Sequence, residues 1–219
     1  GQYFNPIVPL YLFPRGEDFT PYRMYERYDE GRQLMTQHWP YGEMGMAMQN
    51  PYWIINRNMF NNDRDRYMAN AGLKYKVFDW MDISGRVRID NANTRHTKKL
   101  YASTDAKFAQ SKGYYGDRKD VDKQLYADFL VNINKRFNDF DLTANVGASI
   151  QDVSMDYVGA EGQLSMIPNF FTLHNVDLGA NNSRIKQDGW KEQTQSVFAS
   201  AELGWKSMIY LSATARNDW

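Results

Sequence analysis

Residues 67–77 have the sequence YMANAGLKYKV, in which apolar side chains at odd-numbered positions alternate with mostly polar side chains at even-numbered positions. A period of two is typical of a β-strand with one apolar face and one polar face. After a short connection at residues 78–80, residues 81–90 (MDISGRVRID) alternate again. The two stretches therefore predict a β-hairpin that is closed by a tight turn.

The same hairpin pattern occurs twice more. Residues 125–150 contain a second pair of alternating stretches, joined by a turn at 136–139, and residues 197–215 contain a third pair, joined by a turn at 206–208. Each stretch has about the ~9 to 11 residues that a tilted strand needs to cross a bilayer, or slightly more. The sequence therefore predicts about six strands in three hairpins.

Long connections separate the hairpins. Residues 93–123 and 153–193 are rich in Gly, Asn, Asp, Lys and Tyr and show little periodicity, so we expect loops there. Residues 1–65 are also irregular and contain several prolines, and only residues 22–35 show a weak helical pattern. Short turns that alternate with long loops are typical of a transmembrane β-barrel.

A soluble antiparallel sheet would show the same alternation, with its apolar face turned to a protein core instead of lipid. Periodicity alone does not distinguish the two. The apolar face is rich in Ala, Leu, Val and Ile, and it carries Tyr67, Tyr75 and Trp205 toward strand ends, where a barrel has its aromatic girdle. From the residues alone, the barrel and the soluble sheet are both open.

Composition removes several functional classes. The chain has 26 lysine and arginine residues against 26 aspartate and glutamate residues, so no net charge attracts nucleic acid. Cysteine is absent, which excludes disulfides and thiolate chemistry. No run approaches the ~20 apolar residues of a spanning helix, and the mean hydropathy is -0.68. If this protein enters a membrane, it does so as a barrel.

Three stretches resemble SusC/RagA-type TonB-dependent transporters of the Bacteroidetes. Residues 5–15 (NPIVPLYLFPR) are similar to an extracellular-loop sequence of this family, and residues 49–67 (QNPYWIINRNMFNNDRDRY) to its entry into a barrel strand. Residues 195–219, which end in Arg-Asn-Asp-Trp, are similar to one of its strands. The resemblance implies a large plugged barrel of ~22 strands in the cell outer membrane. It also implies import of oligosaccharides or peptides, a SusD-like surface lipoprotein as lid, and energy from TonB.

With this resemblance we expect an all-β fold of antiparallel β-hairpins with long loops, a fragment of a large transmembrane β-barrel. Residues 1–65 are predicted to form an irregular extracellular-loop region and residues 66–219 a partial TonB-dependent barrel. No signal peptide, plug domain or TonB box is visible, and Trp219 lies in an unfinished strand, so we expect a piece of a longer chain that starts before Gly1. The alternative is a soluble β-rich carbohydrate-binding module.

Two sets of residues are candidates for contacts. The polar strand face, which would line the lumen, carries Lys74, Lys76, Arg86, Arg88, Asp90, Asp128, Asn132, Asn145 and Gln151. In a soluble sheet these side chains would form the solvated face.

The second set consists of aromatic residues in the predicted loops. Their flat amphipathic rings suit stacking on a sugar or packing against the lid lipoprotein, and ordering of the loops is the alternative for each. The set is Trp39, Tyr41, Tyr52, Trp53, Tyr114, Tyr115 and Trp190.

Catalytic signatures are missing. Neither a phosphate-binding glycine loop nor a GxSxG nucleophile elbow occurs, so we expect no enzyme and no cofactor. His38, His96 and His174 lack metal-site spacing and are interpreted as loop residues. A β-sheet hydrolase remains as a third class, since long polar loops could contain a site.

Acidic residues in the predicted loops suggest two further sites, and neither is favoured. Asp117, Asp120 and Asp122 lack the glycine and glutamate spacing of a calcium loop, although outer loops of such barrels sometimes bind calcium. Asp156 and Glu161 would be a glycosidase pair only if their separation were suitable. We interpret both groups as solvated loop residues.

Overall fold

The computed structural model of the chain describes residues 4–43 and 48–219, so Gly1 lies outside the described residues. The fold is mostly β, with 63% of residues in strands and 12% in helices, and its sheets are antiparallel. The predicted fold class is confirmed. Among the described residues, no helix is long and apolar enough to cross a membrane.

Short elements precede and connect the long strands. They are helices α1 (Ile7–Leu12), α2 (Pro51–Arg57) and α3 (Ala106–Ala109), strands β1 (Glu26–Asp29) and β2 (Leu34–Gln37), and 3-10 turns at Thr20–Arg23 and Leu173–Asn175. Strands β1 and β2 pair as an antiparallel hairpin. The predicted weak helix at residues 22–35 is therefore wrong. Gln33 takes a positive φ of 51°, and the Asp29 carboxylate accepts a hydrogen bond from the Arg32 amide at 3.1 Å, so the chain turns here.

Six long strands form one sheet in which each strand pairs with its neighbour in the chain. They are β3 (Asn58–Phe78), β4 (Met81–Tyr101), β5 (Gly113–Phe137), β6 (Phe140–Gln163), β7 (Arg184–Trp205) and β8 (Ile209–Asp218). The three predicted hairpins are β3–β4, β5–β6 and β7–β8, and all three are present.

The hairpin turns are tight because their backbones take left-handed conformations. Lys206 and Ser207, between β7 and β8, have φ values of 49° and 55°, as a type I′ turn requires. Asn138, between β5 and β6, has a φ of 50°, which asparagine tolerates better than most residues. Around the first turn, the rings of Phe78 and Trp80 stack with centroids 5.2 Å apart.

The long loops predicted at residues 93–123 and 153–193 are present but shorter than predicted. Strand β4 runs on to Tyr101 and β5 already begins at Gly113, while β6 runs on to Gln163 and β7 begins at Arg184, so the loops comprise residues 102–112 and 164–183. These strand extensions carry polar residues on both faces, so they keep a strand backbone without alternating hydropathy. Strand β3 likewise begins at Asn58, inside the predicted loop region, while the division at residue 65 stays a prediction.

The chain divides into two compact units. The first unit comprises Gly1–Asp63, Thr94–Asp120 and Tyr157–Asp188, and the second comprises Arg64–Asn93, Val121–Asp156 and Gly189–Trp219. Each of the strands β3 to β7 contributes residues to both units. The two units differ in how far their apolar side chains are buried.

The first unit has a packed interior. Leu100, Ala109 and Tyr114 form one buried cluster, and Tyr115, Leu164 and Val176 form another. Burial of such side chains is worth roughly 25 cal/mol per Å² of apolar surface. These clusters hold the connections between strands in place.

The second unit has no comparable interior. Among the described residues, Ala92 is the one buried hydrophobic residue that it contributes. Its large apolar side chains are exposed: Leu73 by 77%, Phe129 by 50% and Leu211 by 72%. The apolar face of this part of the sheet therefore has no protein core against it.

Candidate functional site

The polar face of the second unit carries a ladder of ion pairs between neighbouring strands. Lys74 Nζ lies 3.2 Å from Asp82 Oδ2, and Asn132 donates to the other oxygen of the same carboxylate at 2.7 Å. Arg86 pairs with Asp128, with Nη2 2.9 Å from Oδ2. Cross-strand pairs of opposite charge stabilise a sheet and fix its register.

The ladder continues along the same face. Arg66 donates to both carboxylate oxygens of Asp90, at 2.8 and 2.6 Å, and Asn145 donates to the Ser200 hydroxyl at 3.2 Å. Each carboxylate in these pairs therefore has a fixed partner, and the face is polar without a large excess of one charge. The sequence analysis named both partners of the Arg86–Asp128 pair, but it missed Asp82, Arg66 and Ser200 and named only the residues that contact them.

Three members of the predicted polar set lie apart from this ladder. Lys76 pairs with Asp79 at 2.7 Å beside the first hairpin turn, and Arg88 lines a shallow groove next to Tyr126. Gln151 is half-buried in β6. The assignment of the whole set to a lumen stays a prediction.

The predicted aromatic contact residues divide by burial. Trp39, Trp53, Tyr114 and Tyr115 are buried, with Trp53 fully enclosed, whereas Trp190 is 51% exposed. The buried rings contact protein on most sides. Tyr41 (38% exposed) and Trp190 are the members whose rings reach solvent most, and contact with a ligand or lid stays a prediction for the set.

Trp39 and its neighbours form an aromatic cluster in the first unit. The Trp39 ring lies 5.5 Å from Phe13, 5.4 Å from Tyr22 and 5.8 Å from Tyr41, measured between centroids. Tyr52 joins the same group through Phe19, at 6.2 Å. Tilted and edge-to-face pairs of this kind each add ~0.5–1.5 kcal/mol beyond area burial. The rings therefore order the N-terminal region.

Trp53 is held by a buried polar network. The Asn50 side chain caps α2 by accepting from the Tyr52 amide at 2.9 Å and from the Trp53 amide at 3.4 Å. Trp53 Nε1 donates to the Thr104 hydroxyl at 2.9 Å, and that hydroxyl donates to Asn58 Oδ1 at 2.7 Å. This network joins α2 to the connection between β4 and β5.

Tyr114 and Tyr115 lie in β5 rather than in a loop. Burial raises the pKa of Tyr114, and the nearby Glu161 carboxylate raises it further. Burial also raises the pKa of Tyr115, and so does Asp117, whose Oδ2 accepts from the Tyr115 hydroxyl at 3.3 Å. Both phenols therefore stay neutral donors at physiological pH.

The histidines and acidic residues singled out in the sequence are dispersed or paired. His96 lies in β4 rather than in a loop, and within the described ranges no three His, Asp or Glu side chains converge as a metal site would require. Asp117 binds Arg95 at 2.6 Å, and Asp120 binds Arg118 at 2.5 Å. Asp156 and Glu161 are five residues apart in β6, so alternation directs them to opposite faces.

A cavity of about 270 Å³ lies against the strands of the first unit, and the sequence reasoning did not find it. Strands β3 to β7 all contribute to its lining, which is rich in positive charge. The lining includes Phe60, Asn62, His96, Lys98, Gly116, Arg118, Gly159, Glu161, Arg184 and Lys186. If the predicted strands had been extended into the predicted loops, with alternate residues assigned to alternate faces, these side chains would have been placed on one face of the sheet.

Comparison with known proteins gives a fold likeness and no family assignment. No protein-family model matches the chain, and no curated protein matches it. Among solved structures, the RagAB peptide importer in its "closed-closed" state is similar with a TM-score of 0.69 and 18% sequence identity over 78% of this chain. The chain spans only 19% of the length of that protein.

Two further solved structures are similar. The RagAB peptide transporter matches with a TM-score of 0.65 and 16% identity, over 80% of this chain and 20% of that one. The RagAB peptide importer in its "open-open" state matches with a TM-score of 0.64 and 18% identity, over 78% and 19%. This chain therefore has the fold of one segment of those chains.

Proposed function

We propose that this chain is part of the wall of a TonB-dependent outer-membrane transporter. The observation that carries the proposal is the open apolar face of the second unit, on a sheet of six strands joined in chain order. A soluble sheet needs a core against such a face, because exposed apolar patches of this extent are rare in soluble monomers. Lipid covers the same face without any further protein.

The ion-pair ladder supports the same proposal from the opposite face. Lys74, Arg86, Asp128 and Asn145 would line a water-filled or plugged lumen, where fixed, mixed charges are compatible with a polar solute or plug. Alternation assigns the two faces oppositely along every strand. The chain is thus expected to place one face toward lipid and one toward the lumen.

The proposed cargo is a peptide, with an oligosaccharide as the competing cargo. The three solved structures compared above are of a protein described as a peptide importer or transporter, which favours the first. We further propose a SusD-like surface lipoprotein as partner and TonB as the source of energy. Exposed aromatics such as Tyr41 and Trp190 are candidates for contact with that partner or with cargo.

Uptake by whole cells tests the proposal. A bacterium that carries the full-length protein is compared with a strain that lacks its gene, using a labelled peptide and a labelled oligosaccharide of similar mass. We expect peptide uptake that requires both the gene and the proton-motive force, with the oligosaccharide as the matched control. Uptake of neither cargo, or recovery of the full-length protein in the soluble fraction without detergent, would contradict the transporter and favour a soluble binding module.

A further inference from the structure

The cavity of the first unit has a floor made by glycine. A Cβ on Gly116 would lie 3.0 Å from the Cβ of Glu161, and a Cβ on Gly159 would lie 2.7 Å from the Cβ of Arg118. Side chains at these two positions would therefore collide with the side chains that form the walls. The concavity exists because both strands carry glycine where they face it.

The walls of the cavity are charged, and their charges are largely neutralised. Arg118 donates to both oxygens of Asp120, at 2.5 and 2.8 Å, and its guanidinium lies 4.3 Å from the Tyr157 ring centroid. Lys98 lies 3.7 Å from Glu161 and 4.4 Å from the centroid of Tyr114. These cations are fixed by partners.

Two further cations at the cavity have no such partner. Arg184 and Lys186, both exposed and both lining the cavity, form no ion pair with any described residue. They are two residues apart in β7, so they lie on the same face of that strand. The cavity thus keeps an uncompensated positive charge at one side.

The opposite side of the cavity is apolar. Phe60 of β3 lines it, is 50% exposed, and is held by an edge-to-face contact with Phe4 at 5.2 Å between centroids. An exposed ring on one side of the cavity and two free cations on the other suit a ligand that has an apolar group and an anionic group some distance apart.

We propose that this cavity binds the terminal carboxylate of a peptide, an inference that rests on the proposed peptide transport. Arg184 would bind the carboxylate through its planar pair of donors and Lys186 as a point charge. Phe60, on the opposite side of the cavity, would contact an apolar side chain of the same peptide. The volume of about 270 Å³ is below the ~300–1,000 Å³ of pockets that enclose a drug-sized ligand, so the cavity takes one end of a longer chain.

Binding to the full-length transporter, purified with its lipoprotein partner, tests the assignment. The probes are a peptide with a free C-terminal carboxylate, the same peptide with an amidated C-terminus, and a sulfated oligosaccharide. We expect wild-type protein to bind the free-carboxylate peptide about tenfold to a hundredfold more tightly than the amidated one, as expected for charge-assisted hydrogen bonds.

A double variant, Arg184→Gln with Lys186→Gln, should remove this preference while binding of the amidated peptide stays unchanged, which also shows that the variant is folded. The matched control is Lys119→Gln with Lys123→Gln. This pair removes the same charge from odd-numbered positions of β5, whose side chains point away from the face of Arg118. The control should keep the preference.

The outcomes separate this inference from the proposed function. Equal binding of the two peptides by wild-type protein, or tighter binding of the sulfated oligosaccharide, would overturn the carboxylate site and leave transport standing. Loss of the preference in the control pair as well would overturn it too, because a diffuse charge effect would then explain the result. Failure of wild-type protein to bind either peptide would remove the proposed peptide transport itself.

Discussion

The two units use one continuous set of strands in different ways. In the first unit, apolar side chains pack on each other, and Trp53 and Leu100 are fully buried. In the second unit, apolar side chains of comparable size, such as Leu73 and Phe129, are half or more exposed. The proposed contact with lipid would account for the exposed apolar side chains of the second unit, whereas the first unit buries its apolar side chains in its own core.

The polar groups differ in the same way. The first unit buries Gln49, Asn50, Thr104 and Asp105 nearly completely, and it satisfies such groups through networks that include backbone atoms. In the second unit the cations are exposed and pair across neighbouring strands with carboxylates that are mostly covered, as in Lys74–Asp82 and Arg86–Asp128. The first unit is therefore expected to respond to core mutations as a soluble protein does, and the second unit to respond to the polarity of its outer face.

The largest expected effect is in the first unit. Trp53→Ala should destabilise that unit by ~3–5 kcal/mol, because it removes a fully buried ring and the donor to Thr104. Hydrogen exchange of the amides at residues 102–105 in the full-length protein would report the loss. Trp190→Ala, at an exposed ring in β7, is the control. It should change the free energy of opening measured by amide exchange by ~0.5 kcal/mol or less. Equal effects of the two variants would contradict the contrast between the units.

The next effect is in the second unit and depends on lipid. Val146→Arg in the full-length protein should destabilise the barrel in the membrane by ~2–4 kcal/mol and so reduce its outer-membrane assembly, because it places a charge on the face proposed to contact the bilayer. Ala144→Arg should have the same effect. Asn145→Arg, one residue away on the face that carries the ion-pair ladder, should have a milder effect. The yield of folded barrel, measured by heat-dependent gel mobility, distinguishes them. Equal yields of all three variants would contradict the assignment of faces.

The sequence predicted the second unit well and the first unit poorly, for a physical reason. In residues 67–77 one face is apolar and the other polar, so the backbone period of two is visible in the composition. In residues 113–120 both faces meet polar surroundings or a local core, and the period disappears although the strand continues. Strand segments that lack one apolar and one polar face were therefore taken for loops.

The cavity was missed as a consequence of the same error. Lys98, Arg118 and the pair Arg184 and Lys186 are far apart in sequence, and only the pairing of the extended strands β4 to β7 brings them to one concavity. By contrast, the polar residues of the second unit, such as Arg86 and Asp128, were found because they interrupt a regular apolar pattern. The aromatic residues were recognised from composition, but their burial depended on contacts that no local pattern contains.

A smaller effect is expected at the glycine floor of the first unit. Gly159→Ala should cost ~1–3 kcal/mol, since the added methyl would meet both the Cβ of Arg118, at 2.7 Å, and its Cα, at 2.9 Å. Faster amide exchange at residues 157–163 would show the loss. Gly16→Ala is the matched control, since a Cβ there meets no atom within 4 Å. If the two alanine variants behave alike, the close packing around Gly159 is contradicted.

The smallest effect is a dependence on pH. Hydrogen bonds from Arg95 lower the pKa of Asp117 below its usual value of 3.8, and the two groups approach to 2.6 Å. A lowered folded-state pKa stabilises the folded form above the unfolded pKa, and this stabilisation is lost as the pH falls through the folded pKa.

Acidification from pH 6 to pH 3 should thus weaken the first unit by ~1 kcal/mol or less through this pair. Asp117→Asn should already be less stable at pH 6 and should lose less on acidification, measured by amide exchange around residue 117. Asp63→Asn, at a carboxylate without an ion pair among the described residues, should leave the wild-type pH dependence in place. An unchanged pH dependence in Asp117→Asn would show that Arg95 does not stabilise the first unit through this carboxylate.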